Sequence, residues 1–85
     1  MVTRNTTTIG NLTIVDVQDS SNVILLRYLE GETNILEVGF HKGGVYRYFN
    51  VPRKDFEAIA SADSVGKELR SRVISTNKYI YERVL

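Results

Sequence analysis

The sequence predicts an α+β domain: a small antiparallel sheet of three to five strands, with two short helices packed on one face. Two observations carry that expectation. Through the first half of the chain, apolar residues recur with a period near two, in short runs broken by Gly, Asn, Asp and Ser. After Pro52 the apolar spacing changes to that of a helix. Size agrees, because 85 residues make one small domain with a modest core.

Residues 1–10 are polar and Thr-rich, and are expected to form a flexible N-terminal segment. Residues 11–85 then form the single domain. Leu12-Thr13-Ile14-Val15-Asp16-Val17 is rich in β-branched residues and reads as a first strand. Asp19-Ser20-Ser21-Asn22 is a cluster of short side chains that bond to nearby backbone, which makes it a turn. Val23-Ile24-Leu25-Leu26-Arg27-Tyr28 is almost continuously apolar and suits a central strand, or one covered on both faces. Glu30-Gly31-Glu32 turns the chain again. Leu36, Val38 and Phe40 then alternate with Glu37 and Gly39, and His41-Lys42-Gly43-Gly44 closes a hairpin.

The next strand, Val45 to Val51, has the densest aromatic run. Tyr46, Tyr48 and Asn50 share one side, with Val45, Arg47, Phe49 and Val51 on the other. Pro52 suits the first turn of a helix carrying Phe56, Ile59 and Ala60 on one face. Ser64 is a natural N-cap for a second helix with Val65, Leu69 and Val73 at i, i+4 and i+8. Asn77 suits a left-handed terminus. The tail from Lys78 alternates, and reads equally as a last strand or as a packed extended segment. The predicted core joins Leu36, Val38 and Phe40 to Phe56, Ile59, Val65 and Leu69.

Several functional classes are set aside by composition. There is no cysteine and one histidine, so neither a structural zinc site nor thiolate chemistry is expected. The carboxylates are scattered, which does not suit a hard-cation site, and no cofactor is expected. No apolar run approaches the ~20 residues that span a bilayer. The start lacks the apolar stretch of a signal peptide, and the expected location is the cytoplasm. Ala62-Asp63-Ser64-Val65-Gly66 lacks the first glycine of a nucleophile elbow, so Ser64 is read as a cap and the protein as a non-enzyme.

Motifs along the chain identify a resemblance. Ser20-Ser21-Asn22-Val23, Tyr28 and Leu36-x-Val38-x-Phe40 come first. Tyr46-x-Tyr48-x-Asn50-Val51-Pro52, Ala62-x-Ser64-x-Gly66 and Tyr79-x-Tyr81 follow. In order and spacing the chain, from about Val15 onward, resembles the KTSC domain, named for its occurrence at the C-terminus of some lysyl-tRNA synthetases. Two places depart from that family. Glu68, Leu69 and Arg70 stand where an aromatic pair and an Asn are usual, and Ile80 stands where a Pro often separates the closing tyrosines. The resemblance implies a small α+β module found alone in bacteria and their phages, without an established activity. The synthetase context implies RNA as a partner.

The charge is uneven. Residues 1–40 carry two basic and five acidic residues, a net of −3; residues 41–85 carry nine and five, a net of +4. Such asymmetry suits either an anionic partner or an ordinary solvated surface. Tyr46 and Tyr48 on one strand face could stack bases, although the same alternation is what a buried strand needs. Lys67 and Arg70, at i and i+3, could contact phosphate, with Gly66 leaving the adjacent N–H groups uncovered; Gly66 could equally serve helix–sheet packing.

The expected site is therefore Tyr46, Tyr48, Asn50, Ser64, Gly66, Lys67 and Arg70, and the expected partner is RNA or another nucleotide-like anionic ligand. The alternatives are a small-ligand, nucleotide-binding protein of phage origin, oligomeric in one version, and a protein-interaction module that adds a strand at a sheet edge.

Overall fold

The structure, a computed structural model, describes residues 4–85. Six strands form one antiparallel sheet in sequence order: β1 (Arg4–Ile9), β2 (Leu12–Val17), β3 (Val23–Leu29), β4 (Ile35–Phe40), β5 (Gly44–Phe49) and β6 (Tyr81–Arg83). Helices α1 (Arg53–Ser61) and α2 (Val65–Leu69) lie between β5 and β6, and α2 runs directly into a π-helical turn, Arg70–Ile74. The α+β class is as expected. The strand count is six rather than three to five, because both chain ends supply a strand.

The N-terminal strand corrects the expectation of a flexible first ten residues. Arg4–Ile9 pairs along its whole length with β2, from Arg4 opposite Val17 to Ile9 opposite Leu12. Gly10 and Asn11 make the two-residue turn, and Gly10 has the positive φ (60°) that such a turn requires. Arg4 anchors the far end. Its guanidinium grips both carboxylate oxygens of Asp19, at 3.2 and 3.1 Å, and donates to the Ala60 carbonyl at 2.8 Å. That carbonyl lies in the last turn of α1, where a cation is favoured. Residues 1–3 of the expected flexible segment lie outside the described residues.

One sheet face carries the core. Across the strands, Val15 sits opposite Leu26, Leu26 opposite Val38, and Val38 opposite Tyr46; one row along, Tyr28, Leu36 and Tyr48 align. Against them pack Val51, Phe56, Ile59, Val65, Leu69 and Val73 from the helical segment. Two layers around one core is the simplest way to bury a one-sided sheet. The predicted core residues all belong to it, with Phe40 at its margin.

The nearly continuous apolar run of β3 is resolved by a bulge. Val23 pairs with Phe40 and Leu25 with Gly39, so Ile24 is the extra residue. Strict alternation would put Val23 on the same side as Leu25. The bulge returns it to the core, where it is buried with Leu26 and Tyr28.

Candidate functional site

A groove opens on the helix-bearing side of the sheet, between the β2–β3 turn, the β4–β5 turn and the start of α2. Its larger part, about 870 Å³, is lined by Ser20, Ser21, Asn22, Ser64, Gly66, Lys67 and Arg70, among others. A second part of about 450 Å³ shares Ser21, Asn22, Gly66 and Arg70 with the first, and reaches Phe40, His41 and Lys42.

Local bonding fixes the rim. Ser20 Oγ accepts from the backbone N–H groups of Asn22 and Val23, at 3.2 and 3.1 Å. His41 N–H donates to the Asn22 carbonyl at 2.8 Å, and His41 Nε2 lies 3.2 Å from the Ser20 carbonyl, so the two sheet turns are tied together. On the other wall Ser64 caps α2, its Oγ accepting from Lys67 N–H at 3.3 Å. The N-cap reading of Ser64 therefore holds. Asn22 Nδ2 would lie 3.5 Å from a Cβ placed on Gly66, an ordinary contact. The missing side chain thus leaves space in the groove without being needed for the backbone to close.

Ion pairing separates the cations of the groove from most of the arginines. Arg4, Arg27, Arg47, Arg53 and Arg72 all pair with carboxylates. Arg83 instead donates to the Leu85 carbonyl at 2.8 Å. Among the described residues Arg70, Lys67 and Lys42 make no ion pair and line the groove; Lys54 and Lys78 also make none but lie outside it, Lys78 resting 5.3 Å from the Tyr79 ring centroid. Of the groove's two carboxylates, Asp19 is engaged by Arg4, which leaves Asp63.

A sequence model of the KTSC domain matches residues 19–79, most of the chain. The chain belongs to the KTSC domain family. It is 38% identical over 65 residues to an uncharacterized protein of Stutzerimonas stutzeri (strain A1501), covering 76% of this chain and 89% of that protein. Its fold is similar to the crystal structure of a KTSC domain protein from Yersinia pestis. The TM-score is 0.75 at 23% identity, covering 87% of this chain and 99% of that one.

Within this KTSC domain the expected site residues fall into two groups. Ser64, Gly66, Lys67 and Arg70 meet in the groove. Tyr46, Tyr48 and Asn50 do not line it. Tyr48 is 6% exposed and forms part of the core, and burial, with Tyr46 and Tyr81 nearby, pushes its phenol pKa up. Tyr81 packs on it at 5.6 Å between ring centroids. Tyr46 is half-buried, meeting Phe40 edge-on at 5.8 Å, Tyr81 at 6.1 Å and the Arg83 guanidinium at 6.0 Å. The pair is not an open stacking platform, because Tyr48 is buried in the core and β6, pairing beside β5, sets Tyr81 against both rings.

Asn50 ends β5 in the left-handed region, φ 64°, and turns the chain toward Pro52. Its position is that of a bend rather than a ligand contact.

Sequence reasoning missed Asn22 and Lys42 as groove residues. Both sit in segments read only as turns. The signal was present in the family motif Ser20-Ser21-Asn22-Val23, which lies far from α2 in sequence and is brought to it only because α2 lies beside that turn of the sheet. The network around Asp55 was also missed. That buried carboxylate accepts from Arg72 Nη1 at 3.0 Å and Tyr79 Oη at 3.2 Å, and Glu68 takes Arg72 Nε at 2.6 Å. It locks α1, α2 and the tail together behind the groove.

Proposed function

We propose that the protein is a non-enzymatic binding module for single-stranded RNA, with the phosphodiester backbone held in the groove by Lys67, Arg70 and Lys42. The observation that carries this reading is the contrast in pairing. Five arginines are spent on carboxylates, while three of the cations that pair with none, Lys42, Lys67 and Arg70, converge on one concave surface beside the space left by Gly66; Lys54 and Lys78, also unpaired, lie elsewhere. Unneutralised cations in a groove concentrate an anionic polymer. Ser64, Ser21 and Asn22 add short polar side chains suited to phosphate oxygens.

An aromatic path supports a polymer rather than an isolated anion. From Phe40 in the groove, ring centroids step 5.8 Å to Tyr46 and 6.1 Å to Tyr81. Tyr81 is 61% exposed and is the member of this path on which a base would stack. The stacking role thus passes from Tyr48, which is buried, to Tyr81.

Titration with short single-stranded RNAs at low and moderate salt tests the reading, with mononucleotides as the comparison. Lys67→Ala/Arg70→Ala should lower affinity and flatten the salt slope by about two phosphate contacts. Gly66→Ala should weaken binding in a protein that melts near wild type, because its methyl fills the groove. Tyr81→Ala should weaken binding by ~1–3 kcal/mol. RNA affinity that is unchanged in the folded double variant would sink the proposal.

A further inference from the structure

We propose that the sheet face turned away from the helices is the interface of a symmetric homodimer, whose two copies are related by a two-fold axis parallel to the strands and running between β4 and β5. This face is on the opposite side of the sheet from the groove, and the inference does not depend on RNA binding.

The outer face is organised in rows across the strands. Its middle row is a ladder of alternating charge: Arg27 on β3, Glu37 on β4, Arg47 on β5 and Glu82 on β6, each directly opposite the next. The successive N···O distances are 3.4, 2.9 and 3.1 Å. On one side runs an apolar row, Leu12, Leu29, Ile35 and Phe49; on the other Leu25, Gly39 and Val45 align, with Ile24 at the bulge and Asp16 at the β2 end, outside the strands that the axis superposes. A shallow depression of about 340 Å³ sits where the first apolar row meets the ladder. Leu29 and Ile24 are each 41% exposed, and they belong to a face whose neighbouring positions are also apolar.

The order of charges selects the occupant. Read from β3 to β6 the ladder is plus, minus, plus, minus, and read backwards it is the complement of itself. A two-fold axis parallel to the strands reverses strand order and keeps each row at its own height. Arg27 then faces Glu82 of the second copy, Glu37 faces Arg47, and each apolar row faces an apolar row. An axis lying along the ladder would instead set every charge against its own copy. Two sheets stacked face to face with interleaved inner side chains is an ordinary packing mode.

Because the ladder is already neutralised within each chain, the new charge contacts fix orientation, and the apolar rows supply the attraction. Under this axis β3–β6 of one copy face β6–β3 of the other while β1 and β2 overhang. Four strands spaced about 4.8 Å apart and at most about 20 Å long present roughly 350 Å² of projected area per copy, below a standard specific interface, so the dimer should be weak and dissociate on dilution.

Sedimentation of the 85-residue chain over a range of concentrations tests this. Wild type should shift from the mass of one chain to that of two. Glu37→Arg and Arg47→Glu should each weaken self-association by about tenfold or more, since each sets like charges across the axis. Mixing these two variants should restore a dimer, because three positives and one negative on one ladder then meet three negatives and one positive on the other. Mere loss of the intrachain pairs would not be repaired by mixing. If either variant fails to fold, as judged by circular dichroism, Leu29→Lys provides the disruption without touching the ladder. A wild type that stays monomeric throughout, variants that associate as wild type does, or folded variants that stay monomeric on mixing would each overturn the proposal.

Discussion

The ring of Tyr28 lies flat on that of Phe56, with centroids 4.5 Å apart and planes within 4°, and this contact joins the middle of the sheet to α1. The same tyrosine donates a 2.6 Å hydrogen bond from Oη to the Val51 carbonyl, in the connection between β5 and α1. One side chain thus holds the helical layer both by packing and by bonding. Tyr28→Phe keeps the stack and strands a buried carbonyl, so it should cost about 1–3 kcal/mol. Phe56→Ala empties the stack and should cost ~3–5 kcal/mol. Urea unfolding of the two variants checks both magnitudes and their order.

The N-terminal strand should contribute to stability through Arg4. Its side chain is only 6% exposed, with three hydrogen bonds to Asp19 and Ala60. Arg4→Ala leaves the Asp19 carboxylate and a helix-terminal carbonyl without that partner, and should lower stability by about 2 kcal/mol. Hydrogen exchange should show β1 amides exposed before those of β3. A variant with wild-type stability would mean that β1 is held by backbone pairing alone.

Ser64→Ala removes the cap of α2 and should cost about 1 kcal/mol. The hydroxyl's partner is the amide of Lys67, at the groove wall. Any loss of RNA affinity in this variant should therefore be small beside that of Lys67→Ala/Arg70→Ala, and a binding assay run alongside the melt compares them.

Alkaline pH should destabilise the protein. Burial, the first cause in each case, raises the pKa of Tyr28, Tyr48 and Tyr79 above the ordinary 10.0; Glu30 adds to it at Tyr28, Tyr46 at Tyr48, and the hydrogen bond to Asp55 at Tyr79. A raised pKa means that the fold favours the neutral phenol. The resulting stabilisation is complete below the unfolded pKa and is lost as pH climbs through the folded one. Denaturant midpoints should thus hold steady near neutrality and fall above about pH 10. Tyr48→Phe should make that fall shallower. A midpoint that rises above pH 10 would contradict the assignment.

Much of this protein follows from residue order alone. The period-two runs of β2, β4 and β5, the change of period at Pro52, the Ser64 cap and the shared face of Leu36, Val38 and Phe40 are local properties. Each depends on side-chain spacing or on a bond within one turn, and such signals survive without knowledge of partners. The Gly10-Asn11 hairpin was passed over in favour of a flexible segment, because the threonines before it carry no apolar stripe to mark them as a strand.

What only the tertiary structure decided is where polar and aromatic residues end up. Alternation placed Tyr46 and Tyr48 on one face but could not say that β6 would pair beside them and set Tyr81 against their rings. The alternation from Lys78 left a last strand and a packed extended segment equally open; the three-residue strand Tyr81–Arg83 forms because β5 offers it an edge. The bulge at Ile24 likewise depends on the register with β4. Lys42, Asn22, Gly66 and Arg70 are scattered over nearly fifty positions, and they share a groove only because α2 lies beside two turns of the sheet. Spacing along a chain encodes which way a side chain points; contact between distant segments is set by how the layers pack.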